Sequence, residues 1–154
     1  MLRLTALLPV LALSTAACQT PEAPASAPAR PPGEVYTVSA GAFFVRPPSW
    51  LKMVLPRPSA PVAGATSGVA WRMRNQDTTQ QTTVFSFYTF TPEAWAAARS
   101  VTPPVGTVVF EDSARVIVAA LPAANPYPEG SEAATRFDDL SIPLDTIRAR
   151  LIVR

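Results

Sequence analysis

The 154-residue sequence contains no histidine and a single cysteine, Cys18. Those two shortages exclude Ser-His and Cys-His nucleophile systems, the usual zinc ligand sets, and the common forms of haem and iron–sulfur ligation. A lone thiol also excludes a disulfide within the chain, so the folded part must be stabilised by apolar burial. Lysine is scarce as well, Lys52 being the only one, and the remaining basic residues are all arginine. With 13 basic against 11 acidic residues the net charge is +2, and such a balance lacks the concentrated basic face that nucleic acid requires. No apolar run reaches the roughly 20 residues needed to cross a bilayer. The expectation is therefore a protein with no cofactor, no metal and no nucleic-acid partner.

What the N-terminus does have is an ordered series of short segments. Arg3 supplies one positive charge, Leu4 to Leu13 form an apolar run interrupted by Thr5 and Pro9, and Ser14, Thr15, Ala16 and Ala17 are small. This is the layout of a secretory signal. Cys18 follows the small residues directly, and that arrangement resembles the lipobox of bacterial envelope lipoproteins. The resemblance implies that Cys18 is diacylated and becomes the first residue of the mature chain, and that the protein's first partner is a membrane, held through that lipid. The family prefers Leu three residues before the cysteine, where this chain has Thr15. An ordinary signal peptidase cutting near Ser14-Thr15-Ala16 is the alternative, and it would leave Cys18 as a free thiol. Gln19 in place of Asp after the cysteine resembles the outer-membrane default of diderm bacteria.

Removing residues 1–17 leaves 137 residues. Residues 19–34 hold five prolines among Ala, Ser and Glu, a composition that cannot bury enough apolar surface to fold and tends to an extended tether. At about 3 Å per residue it reaches up to ~50 Å. The expected organisation is a signal over 1–17, a lipidated cysteine and tether over 18–34, and one globular domain over 35–154.

Within that domain, Val35 to Val45 reads as extended with a turn at Gly41. Prolines 47, 48, 56, 58 and 61 keep the next stretch out of a central strand, leaving short edge pairing near Lys52 to Leu55. Val69, Trp71 and Met73 alternate with Ala70, Arg72 and Arg74 as in a strand with one dry and one wet face. After a polar turn, Thr82 to Phe90 is β-rich on both faces, as a central strand is, with Phe85 and Phe87 on one side and Val84, Tyr88 and Phe90 on the other. Thr91-Pro92-Glu93 is a helix start, with Thr as N-cap and Pro at the first helical position. Gly106–Phe110 and Arg115–Leu121 predict a second hairpin. Ser131 caps a second helix whose inner face would be Ala133, Phe137 and Leu140. The last dozen residues fit a helical turn passing into a terminal strand. The fold class is α+β, with about five mainly antiparallel strands and two or three helices packed on them. The strand–Pro–Trp run from Phe43 to Trp50, followed by hairpins and an aromatic-bearing helix, resembles the PsbP/Mog1 type of sandwich. That fold hosts unrelated functions, so the resemblance implies architecture alone.

Few residue patterns in the domain suggest chemistry. Ser49-Trp50-Leu51-Lys52 spells S-x-x-K, the spacing that sets a lysine beside a serine nucleophile in penicillin-binding proteins, but prolines flank it and no S-D-N or K-T-G element accompanies it. Glu111-Asp112 and Asp138-Asp139 are acid pairs whose members point apart in a turn or on a helix; a glycosidase-type site would need two separated carboxylates facing each other. Trp50 and Tyr127 lie in proline-braced loops and are the candidates for a ligand-binding surface. Arg72 with Arg74, and Arg148 with Arg150 if the terminus is extended, form short basic stripes. The sequence thus favours a non-enzymatic envelope module that binds a protein, peptide or glycan partner, with a Ser49/Lys52 or carboxylate hydrolase as the alternative.

Overall fold

The described chain first reverses at Gly41, where φ is +69° and an added Cβ would stand 2.7 Å from the carbonyl oxygen of Arg154. Only glycine meets both demands without strain. The reversal joins β1 (Glu34–Ser39) to β2 (Ala42–Arg46) in an antiparallel hairpin, as the sequence predicts. The structure is a computed structural model, and it describes residues 32–50, 52–60, 62–74 and 81–154. Cys18, the expected signal and most of the expected tether lie outside the described residues.

After a 3-10 turn at Pro48–Trp50 come β3 (Val54–Pro58), β4 (Ser67–Met73), β5 (Thr82–Phe90), α1 (Pro92–Ala98), β6 (Thr107–Glu111), β7 (Val116–Ala120), α2 (Glu132–Leu140), α3 (Leu144–Arg150) and β8 (Leu151–Val153). Strands β3 to β7 make a five-stranded antiparallel sheet in the order β3-β4-β5-β7-β6. Two of its positions follow directly from composition. Strand β3 carries Pro56 and Pro58 and sits at the edge, where a missing N–H leaves no gap in a ladder. Strand β5, apolar on both faces, is the middle strand. A second, three-stranded sheet has the order β1-β2-β8. Its third strand follows α3 directly, as the helical turn passing into a terminal strand that the sequence predicts, and its place in this sheet comes from pairing with β2.

The five-stranded sheet is covered on both sides. On one side Phe90, Val116 and Val118 pack with Ala98 of α1, and the half-buried Trp95 ring lies 5.4 Å from that of Phe90. On the other side Trp71, Met73, Phe85, Phe87 and Ile117 meet Phe44 of the smaller sheet, Phe137 and Leu140 of α2, and Ile147 of α3. The period of two along β5 produces this division, with one exception. Val84 belongs to the same cluster as Phe85 and Phe87 rather than to the opposite face. The ladder pairs Trp71 with Phe85 and Arg72 with Thr83, so Val84 is an unpaired bulge residue, and a bulge re-aims its side chain.

Both helix starts behave as their sequences predict. The Thr91 and Ser131 hydroxyls accept from the backbone N–H of Ala94 and Ala134, contacts worth about 1 kcal/mol each. The inner face of α2 is Ala134, Phe137 and Leu140; Ala133, expected there, is half-buried. Arg148 and Arg150 fall in α3, so they do not share a strand face. Arg148 instead bonds Asp145 and the Val108 carbonyl, and Arg150 the carbonyls of Pro32 and Val45.

Candidate functional site

The residues singled out from the sequence are dispersed rather than assembled. Ser49 sits in the 3-10 turn and Lys52 in the turn that follows, and both side chains are exposed. A Ser-Lys nucleophile needs its amine desolvated beside the hydroxyl, and two groups open to water on consecutive turns do not supply that. None of the clefts described below is lined by either residue.

Trp50 corrects the expectation of a surface ring: it is 0% exposed. The 3-10 turn folds its indole inward, against Phe44 at 6.2 Å, Trp71 at 5.7 Å and Phe85 at 5.8 Å. The proline-braced loop does not present the ring to solvent but plugs it into the core. Tyr127 is half-buried. Its Oη is 2.5 Å from Thr82 Oγ1, its backbone N–H donates to Asn125 Oδ1, and its ring meets Phe137 edge-on at 6.1 Å. These contacts fasten the loop to the sheet and to α2, while another side of Tyr127 lines a cleft of about 350 Å³ with Asn125, Glu129, Thr135 and Asp138. Glu129 and Asp138 are exposed, and Asp138 already accepts from Asn125 Nδ2 at 2.9 Å.

In the other acid pair, Asp112 has a structural role. Asp112 Oδ1 accepts from the backbone N–H of Ala114 and Arg115, both at 2.8 Å, closing the β6–β7 turn. Hydrogen bonding to the charged form, first from Ala114 and also from Arg115, holds the Asp112 carboxyl below its ordinary value. A depressed folded pKa gives stability that is present above the unfolded value of about 3.9 and is lost as pH falls through the folded one. The Tm advantage of wild type over Asp112→Ala is therefore expected to persist from pH 7 to about 5 and to shrink below pH ~4. A difference unchanged down to pH 2, measured by circular dichroism melting, would contradict this role.

Two further depressions lie among the described residues. A shallow one of about 210 Å³ on the outer face of the smaller sheet is lined by Val35, Phe43, Ile152 and Arg154, with the Arg154 guanidinium 5.9 Å from the Phe43 ring centre. The larger, about 450 Å³, opens where the two sheets part, between the end of β1, the start of β4, the end of β5 and the β6–β7 turn. Its polar residues include Ser39, Thr66, Thr89 and Arg115. None of these four stands out in the sequence, since lone hydroxyls in strands and an arginine beside a turn carry no local signal. Only the packing of four separated segments brings them together.

The described residues hold no group of three or more Asp, Glu, His or Cys side chains placed to bind a metal ion, and no helix among them is long and apolar enough to cross a membrane. Comparison with protein-family models, with curated proteins and with solved structures finds no match for this chain.

Proposed function

We propose that this chain is a lipid-anchored lipoprotein of a bacterial cell envelope whose α+β head binds a partner rather than catalyses a reaction. One observation carries the reading: Cys18, the only thiol, directly follows an apolar run and small residues and precedes a proline-rich stretch, with the first strand beginning at Glu34. Acylation at that cysteine fixes the protein to a membrane, the periplasmic face of the outer membrane in a diderm cell. Support for a binding role comes from the head itself. Ser49 and Lys52 are both exposed to water, the Asp112 carboxylate is spent on its own turn, and open clefts with hydrogen-bonding walls remain.

In cells fed an alkyne fatty acid, the wild-type chain is expected to incorporate label. Cys18→Ser is expected to incorporate none and to accumulate at the precursor mass. Labelling that is equal in the two, or absent from both, contradicts the anchor. Purification of the lipidated protein from its own envelope tests the second half of the proposal, and recovery of no specific protein, peptide or glycan counts against it.

A further inference from the structure

The cleft where the two sheets part gathers an unusual concentration of unmet hydrogen-bond donors. Among the described residues, six buried side-chain polar atoms have no hydrogen-bond partner, and the two hydroxyls among them, Ser39 Oγ and Thr89 Oγ1, belong to residues lining this one cleft, beside Arg115, whose Nε is ion-paired with Asp112. A buried polar group without a partner costs about 1–3 kcal/mol. Two unpartnered hydroxyls in one place are hard to account for by packing alone.

Thr89 is the clearest case. It is 6% exposed, and it continues the Phe85–Phe87 row of β5 on the face toward the smaller sheet. Its carbonyl is well served, accepting from the backbone N–H of Thr66 at 2.7 Å and from Thr66 Oγ1 at 3.0 Å. Its hydroxyl has no partner. As it stands the hydroxyl is shielded from water, and a rotation of about 120° to another staggered rotamer exchanges it with the methyl group.

Arg115 supplies charge. Its side chain is 17% exposed, with Nε 3.4 Å from Asp112 Oδ2, and its terminal nitrogens donate to the carbonyls of Ala40 and Arg154. The guanidinium is thereby held across the hairpin end of the smaller sheet. A guanidinium has five N–H donors; those two carbonyls use two of them and the Asp112 carboxylate faces a third. No carboxylate lines the cleft.

Everything unmet here can donate, so what the site lacks is an acceptor-rich partner. We infer that this cleft binds an oxyanion, the carboxylate or phosphate group of a small envelope molecule, with Arg115 supplying charge and the Thr89 and Ser39 hydroxyls supplying neutral donors. The volume of about 450 Å³ exceeds that of a single oxyanion and lies within the usual range of small-molecule sites, so the anion is one end of the ligand. Hydrogen bonds to a charged group are roughly twice as strong as neutral ones. The binding is specific to oxyanions because the hydroxyls need directed lone pairs, which chloride offers less well. This inference rests on the binding-module reading of the head and is independent of the anchor.

Thermal melting of the full chain in mild detergent tests it, with inorganic phosphate and acetate titrated separately at constant ionic strength set by chloride. The expected result is a Tm that rises saturably with at least one of the two, the lower midpoint naming the source of the anion. Thr89→Val, which keeps the shape and removes the hydroxyl, is expected to raise that midpoint about tenfold, the effect of one charge-assisted hydrogen bond. Each variant is compared with its own ligand-free Tm, and Arg115→Lys keeps the charge while losing the fork. No saturable rise with either anion overturns the inference, as does a midpoint unchanged in both variants, which would mark an adventitious surface ion. Either failure leaves the acylation of Cys18 untouched.

Discussion

Phe44→Ala is expected to lower the stability of the domain by about 3–5 kcal/mol. Phe44 is fully buried, and its ring lies 5.1 Å from Trp71, 5.4 Å from Phe87, 5.5 Å from Phe85 and 6.2 Å from Trp50. It is therefore the side chain through which the smaller sheet grips the larger one. Truncation removes the transfer free energy of the ring and leaves a cavity whose walls are themselves large rings held by other neighbours, so collapse is limited. Edge-to-face pairs contribute about 0.5–1.5 kcal/mol each beyond burial. A domain of this size has roughly 5–15 kcal/mol in total, so the variant should unfold at a much lower urea concentration. Tryptophan fluorescence reads the transition well, since Trp50 and Trp71 both border the site. A loss below about 1 kcal/mol, with the m-value unchanged, would mean that the two sheets are not joined through this ring.

Arg46→Ala is expected to cost about 3 kcal/mol, for a different reason. Arg46 is a charged side chain only 3% exposed. Its Nη1 donates to the Val54 carbonyl at 3.1 Å, its Nη2 pairs with Glu34, and its guanidinium lies 5.2 Å from the Tyr36 ring centre. The interaction ties the β1–β2 hairpin to the first residue of β3. Breaking a buried ion pair usually costs 3–5 kcal/mol, and the lower end applies because Glu34 is half exposed and can turn to water. Arg46→Met refills the space but leaves the Val54 carbonyl without its donor, so about half the loss is expected. Urea unfolding of the two variants separates packing from hydrogen bonding. Equal losses would show that the alkyl stem contributes little, and no loss in Arg46→Ala would remove the tie altogether.

The sequence read well wherever a local rule was decisive. Thr91-Pro92 and Ser131 each carry a cap whose geometry depends on three or four neighbouring residues, and both helices start there. Strand β5 was legible as central because apolar residues on both faces need cover on both faces. Pro56 and Pro58 marked an edge because a missing N–H is a local fact. The misreadings arose where distant segments decide. Val84 changes face through a bulge set by the pairing of β5 with β4. Trp50 looks displayed in the sequence because its own turn offers no face to bury it on. The face it uses belongs to Phe44, Trp71 and Phe85, which its neighbours in sequence do not announce. The cleft residues were illegible for the same reason, since a serine, two threonines and an arginine acquire meaning only when four strand ends converge.

The proposed anchor is the reverse case, where local order is the whole signal. A short charged start, an apolar run, small residues and one cysteine are read by processing enzymes as linear sequence, and no fold is needed to interpret them. The intact mass of the mature protein purified from its native membrane tests this most directly. The account predicts a chain that begins at Cys18, carries the added mass of a diacylglyceryl group with any N-acyl chain, and resists thiol alkylation. A chain cut upstream of Cys18 with an unmodified thiol that takes up iodoacetamide would contradict it.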